Sequence, residues 1–206
     1  DLSNEQFSEI YRAWLDWKVI VFRDQDIDRD QHKAFARKFG TLHVHPMQHS
    51  YGGDPEILSV KTTKNSAYTA GNAWHTDVTC DEIPPMASAL YIKETPESGG
   101  GDTLFANMYL AYDLLSDTMK EVLGGPTAIH DGALPYLGTY KVAAPEGDAY
   151  PKTEHPVMIA HPDTAQTILF LNRAFTPPIK GTRRWARQSL LAPPPPHIPT
   201  PPQPPL

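Results

Sequence analysis

This chain is poor in cysteine, in basic charge and in long apolar runs. Cys80 is the only cysteine among 206 residues, so no intrachain disulfide can form. A reducing, cytoplasmic compartment is therefore the expected one. Lysine and arginine total 18 against 24 aspartates and glutamates, giving a formal net charge of −6 and a pI near 5.8. That balance lacks the basic face on which electrostatic nucleic-acid binding depends, so no nucleic-acid partner is expected. No apolar stretch approaches the ~18 residues of a membrane-spanning helix. The N-terminal residues lack a signal-peptide pattern, and no membrane association is expected.

What is present fits one domain of fair size. Hydrophobic residues make up 40% of the chain, enough for a globular core. Ser3 with Gln6, and Asp28 with Gln31, have the spacing of capping boxes and predict two helices. Phe7, Ile10, Tyr11 and Trp14 fall on one face of the first, Phe35 and Phe39 on one face of the second. Lys18 to Phe22, Glu56 to Lys61 and Met86 to Lys93 read as strands. Asn107 to Leu123 holds one or two helices before Gly124-Gly125. Ala128 to His130 reads as a strand, and Asp131 to Glu154 as an insertion over a site. Val157 to Ala160 and Thr167 to Leu171 read as a hairpin around His161-Pro162-Asp163-Thr164. The predicted fold class is a β-rich α+β domain.

The most informative residues are His75 and Asp77, in Asn72-Ala73-Trp74-His75-Thr76-Asp77-Val78-Thr79. On an extended strand, residues two apart point to one side, so the pair can chelate one metal ion. Two histidines and one carboxylate on one face of an iron leave three positions open, the arrangement of non-haem Fe(II) oxygenases. A bare His-x-Asp is also common as a turn Asp beside a surface His. The surroundings decide between the two. Pro84-Pro85 closes the segment, and Gly99-Gly100-Gly101-Asp102-Thr103-Leu104 follows.

These motifs resemble the taurine dioxygenase (TauD/TfdA) family of Fe(II)- and 2-oxoglutarate-dependent dioxygenases. The likeness extends to Phe22-Arg23-Asp24-Gln25, His43-Val44-His45-Pro46, His155-Pro156-Val157, His161-Pro162-Asp163-Thr164 and Leu169-Phe170-Leu171-Asn172. It implies a double-stranded β-helix, a jelly roll of the clavaminate synthase-like kind with flanking helices and the metal at its mouth. It implies a dioxygenase unit over residues 1–181, incomplete at both ends, and Fe(II), 2-oxoglutarate and O2 as cofactor and cosubstrates. His75 and Asp77 match metal ligands and carry the catalysis. Thr103 matches a threonine whose hydroxyl contacts 2-oxoglutarate. His45 matches a histidine that contacts the substrate's anionic head, Asn72 lies one step from a substrate-contacting Asn, and Val78 lines the pocket. Related halogenases have a small residue where Asp77 stands, so the carboxylate argues for hydroxylation. The expected substrate is a small organic anion: a sulfonate such as taurine, a sulfate ester or an aryloxyalkanoate. A homo-oligomer is left open.

The third metal ligand is not identifiable. The family's distal His and its 2-oxoglutarate-anchoring Arg have no counterpart after Gly181. His155 and His161 match other family positions, and Arg183, Arg184 and Arg187 do not match the anchoring Arg. Residues 182–206 form a Pro-rich segment, with nine prolines among the fourteen residues from Pro193 to Leu206. Such a run is irregular or polyproline II, not strand, so His197 within it is not expected at a metal. The alternative reading is a binding or structural protein on a dioxygenase scaffold, lacking the third ligand. A cupin with other metal chemistry is a further alternative.

Overall fold

The computed structural model describes residues 2–46, 53–63, 65–66, 71, 73–97, 99–144 and 149–176. Asn72, His49 and everything from 177 onward, including the Pro-rich segment, lie outside the described residues.

Both capping boxes form. Helix α1 spans Asn4–Trp17, with the Ser3 side chain accepting from Gln6 N and the Gln6 side chain accepting from Ser3 N. Helix α2 spans Arg29–Arg37, capped in the same reciprocal way by Asp28 and Gln31. Each box satisfies two of the N–H groups that a helix start leaves without partners. The predicted faces meet. Phe7, Tyr11 and Trp14 of α1 pack around Phe39, with ring centroids 5.0, 6.0 and 5.6 Å away. Tyr11 Oη also donates to Asp163 at 3.1 Å, tying α1 to the turn at His161–Thr164. Lys33 of α2 is held by Asp54 at 2.7 Å.

The segment before Gly124 divides into α3 (Met108–Asp113), capped by Asn107, and α4 (Asp117–Leu123), capped by Ser116. Strand β1 (Thr127–Asp131) follows and pairs antiparallel with β2 (Lys152–Pro156), in the register Ile129 to Glu154. The hairpin read from the sequence is β3 (Met158–Ala160) with β4 (Thr167–Leu169), Ile159 opposite Ile168. Between β1 and β2 lies a π-helix, Leu134–Thr139. Leu123, Ala128, Val157, Leu169 and Leu171 form one core, closed by Met108, Tyr112 and Met119. A second core joins Val78, Cys80, Tyr136 and Phe175. No helix among the described residues is long and apolar enough to cross a membrane.

The strand expectations need correction at three places. Lys18 to Phe22, Glu56 to Lys61 and Met86 to Lys93 enter no ladder among the described residues. Most of their apolar side chains are exposed, Leu90 by 71% and Ile92 by 60%. A strand is defined by its partner's N–H and C=O groups, and these segments find none there. The described residues accordingly hold two two-stranded sheets and no closed barrel.

Candidate functional site

The site is built on a turn. Residues 77–80 form it, and Asp81 N donates to Val78 O at 3.1 Å. Val78 has φ 48°, a left-handed conformation unusual for a β-branched residue. His75 and Asp77 are therefore not neighbours on a strand face, as the alternation argument assumed. The chain leaves extended geometry at Asp77 and doubles back. Burial holds the turn in place. Val78, Thr79 and Cys80 are 4%, 0% and 0% exposed. Thr79 Oγ1 accepts from Asn172 Nδ2 at 3.1 Å and pairs with His130 Nδ1 at 2.8 Å. Burial pushes the Cys80 thiol up to about 12, which leaves it protonated and unreactive at neutral pH.

On this anchored turn the two donors converge. His75 Nε2 lies 3.2 Å from Asp77 Oδ1, with the two side chains 31% and 56% exposed. Two donors at that separation, with metal bonds of ~2.1 Å, subtend about 100° at a shared ion, close to adjacent octahedral positions. The remaining atoms of both groups are occupied. His75 Nδ1–H donates to the Ala73 carbonyl at 2.7 Å, so Nε2 is the nitrogen that faces Asp77. Ser88 Oγ donates to Asp77 Oδ2 at 2.9 Å, which leaves Oδ1 toward the histidine. A histidine pinned through its other nitrogen to a carbonyl, and a carboxylate pinned through its other oxygen, form the outer shell that metal ligands ordinarily have. The residues present thus fit a divalent cation with nitrogen and oxygen ligands. The hydrogen bond between them raises the His75 pKa and lowers that of Asp77.

His45 stands near the pair. The Asp77 charge acts on it, and burial lowers its pKa. Its ring packs edge to face on Tyr136. His43 Nε2 donates to Asp81 Oδ2 at 2.7 Å, on the far side of the same turn. Tyr136 of the π-helix and Tyr140 just after it reach the segments that flank this turn. Tyr136 reaches His45 at 3.4 Å, and Gly71 N donates to Tyr140 Oη at 3.3 Å, four residues before His75.

None of the hydrogen bonds of His75 and Asp77 described above goes to the remaining expected site residues. Thr103 is exposed, just after the left-handed run Gly99 to Gly101, and none of the contacts of His75 or Asp77 involves it. Val78 is buried against Cys80, Tyr136 and Phe175. Asn72 lies outside the described residues. No group of three His, Cys, Asp or Glu close enough to hold a metal occurs among the described residues. His155 Nε2 donates to the Asp81 carbonyl at 3.0 Å, and His161 Nδ1 accepts from the turn N–H groups of Asp163 and Thr164. Ser88, Tyr136 and Tyr140 escaped the sequence reading. Only Ser88 left a signal, as the polar residue on the face that Met86, Leu90 and Ile92 make apolar.

Comparison with known proteins identifies the family. The family model described as taurine catabolism dioxygenase TauD, TfdA family matches residues 1–192. The chain belongs to that family. It is 35% identical to an alkylsulfatase of Acinetobacter baylyi over 187 residues, 85% of this chain and 56% of the relative. It is 29% identical to an alpha-ketoglutarate-dependent sulfonate dioxygenase of Saccharomyces cerevisiae, over 93% of this chain and 49% of that one. Among solved structures, a taurine dioxygenase from Burkholderia xenovorans superimposes with a TM-score of 0.69 at 28% identity, covering 92% of this chain and 62% of its own. The family's structures imply the double-stranded β-helix. The chain spans about half the length of the curated relatives it matches.

Proposed function

We propose that this chain carries the His75–Asp77 part of an Fe(II)- and 2-oxoglutarate-dependent dioxygenase. It hydroxylates a small anionic organic substrate at a carbon next to the heteroatom. The observation that carries the reading is the convergence of His75 Nε2 and Asp77 Oδ1 at 3.2 Å, each with its other polar atom tied away. Bound Fe(II) with 2-oxoglutarate supplies the activation of O2: one oxygen atom enters the substrate C–H bond, the other enters succinate, and CO2 leaves.

The chain's own residues bind and orient. His75 and Asp77 are two of the protein ligands, and the third lies outside the described residues. Thr103 is the residue proposed to donate its hydroxyl to the far carboxylate of 2-oxoglutarate. His45 contacts the substrate's anionic head, and Asn72 is proposed as a second substrate contact; Val78, buried in the second core, backs the turn that carries Asp77 instead of lining the pocket. Burial lowers the His45 pKa, so its imidazole is neutral at pH 7 and acts as a hydrogen-bond donor. Alkyl sulfates and sulfonates are favoured substrates, in line with the alkylsulfatase and the sulfonate dioxygenase among the relatives. A cytoplasmic location belongs to the same proposal.

The test is a panel of alkyl sulfates, sulfonates and aryloxyalkanoates, with succinate formation and product release measured together. The proposal expects equimolar succinate and product with one of these classes, and none after Asp77→Ala. Product without 2-oxoglutarate would overturn it.

A further inference from the structure

We propose that Ser88 is a positioning residue that holds Asp77 as a one-oxygen ligand. The inference rests on the metal reading of the His75–Asp77 pair and extends it to a residue eleven positions downstream. Ser88 Oγ lies 2.9 Å from Asp77 Oδ2, while Oδ1 of the same carboxylate lies 3.2 Å from His75 Nε2. An ionised carboxylate only accepts, so the serine proton is directed at Oδ2. That bond fixes the rotation of the carboxylate plane. A free carboxylate can swing both oxygens onto one cation, and an ion that takes both from Asp77 loses an open position. Three open positions are what a two-histidine, one-carboxylate centre offers a bidentate cosubstrate and O2. Ser88 aims Oδ1 at the point it shares with His75 Nε2 and holds Oδ2 away from it, so its loss leaves the ligand unaimed as well as free to close an open position.

Ser88 serves this role from a place where packing gives no other account of it. It sits in the extended segment Met86–Lys93, sharing a face with Met86, Leu90 and Ile92, all exposed. A serine with no structural hydrogen bond of its own would be neutral there. Its hydroxyl instead reaches back to the turn that carries the metal pair. His75 is oriented by the same logic, through Ala73 O at 2.7 Å. Two outer contacts, one on each ligand, aim the two donors at one point.

The test is a Mn(II) titration of the protein followed by electron paramagnetic resonance, with thermal unfolding run alongside. Losing such an outer contact weakens metal binding about 10- to 100-fold, and Ser88→Ala is expected to do so without lowering Tm. Ser88→Thr, which keeps the hydroxyl, should restore affinity to near the parent's. Equal Mn(II) affinity in the parent and Ser88→Ala overturns the role of Ser88 while leaving the metal site standing. A parent that binds no more Mn(II) than the His75→Ala, Asp77→Ala double variant overturns the metal reading itself, and the role of Ser88 with it.

Discussion

The phenolic hydroxyl of Tyr136 lies 3.4 Å from Nε2 of His45, and the two rings meet edge to face with centroids 5.4 Å apart. Burial lowers the pKa of the histidine and raises that of the phenol, so both are neutral at physiological pH. With both groups neutral, either can be the donor, and the tautomer of His45 decides which. Tyr136 belongs to the π-helix and is 3% exposed, packed with Cys80 and Phe175. The orientation of His45 is therefore set from inside the second core.

Replacing Tyr136 by phenylalanine keeps the ring and removes the hydroxyl. A neutral hydrogen bond contributes about 0.5–1.5 kcal/mol, so KM for the anionic substrate should rise roughly 3- to 10-fold, with kcat little changed. Steady-state kinetics on the substrate found in the panel gives the answer. An unchanged KM would remove His45 from the binding site.

Thr103→Val tests the cosubstrate contact. Losing one hydrogen bond to a charged group costs about 1.5–3 kcal/mol, so 2-oxoglutarate should bind roughly 10- to 100-fold more weakly. Calorimetric titration with 2-oxoglutarate measures this, and Mn(II) affinity in the same variant should match the parent.

Gly132 lies where β1 gives way to the π-helix. A Cβ there would stand 3.0 Å from Pro151 O, 3.1 Å from the Tyr136 ring and 3.2 Å from Cys80 Sγ. Backbone and two buried side chains leave it no room, so Gly132→Ala should destabilise the fold by about 1–3 kcal/mol. Urea unfolding measures the loss. Because Tyr136 must shift, substrate KM should rise in the same variant.

His130 makes stability depend on pH. It is fully buried, its Nε2 has no hydrogen-bond partner among the described residues, and burial depresses its pKa from 6.5 to about 4. The unfolded chain takes up this proton first. Stability is therefore retained above the unfolded value and lost as pH falls from about 6.5 toward about 4, by about 3 kcal/mol in all. Urea unfolding of the parent and of His130→Gln across this range isolates the contribution. A parallel pH dependence in the two proteins would contradict it.

Local signals in the sequence were legible and distant pairings were not. The Ser3–Gln6 and Asp28–Gln31 boxes mark helix starts because both partners lie within four residues. The β3–β4 hairpin was legible for the same reason. The pairing of β1 with β2 spans the π-helix and its flanking loops, and the segment Asp131 to Glu154 shows no periodicity that announces it. The convergence of His75 and Asp77 was expected from strand alternation, whereas the structure achieves it through a turn. Val78 at φ 48° is a poor sequence candidate for such a turn, and tertiary burial imposes that conformation. Ser88 was not legible as a partner of Asp77, because the link is between side chains eleven residues apart on separate segments.

The central claim is that His75 and Asp77 together hold the metal at which 2-oxoglutarate is consumed. The most direct measurement is Fe(II)-dependent release of CO2 from 1-labelled 2-oxoglutarate, in parent protein that includes the third ligand and in its Asp77→Ala variant. The account predicts release by the parent only when Fe(II) is supplied, and loss of at least about 100-fold in Asp77→Ala, the scale on which removing a ligand abolishes a metal centre. Release at the parent's rate by Asp77→Ala would contradict it.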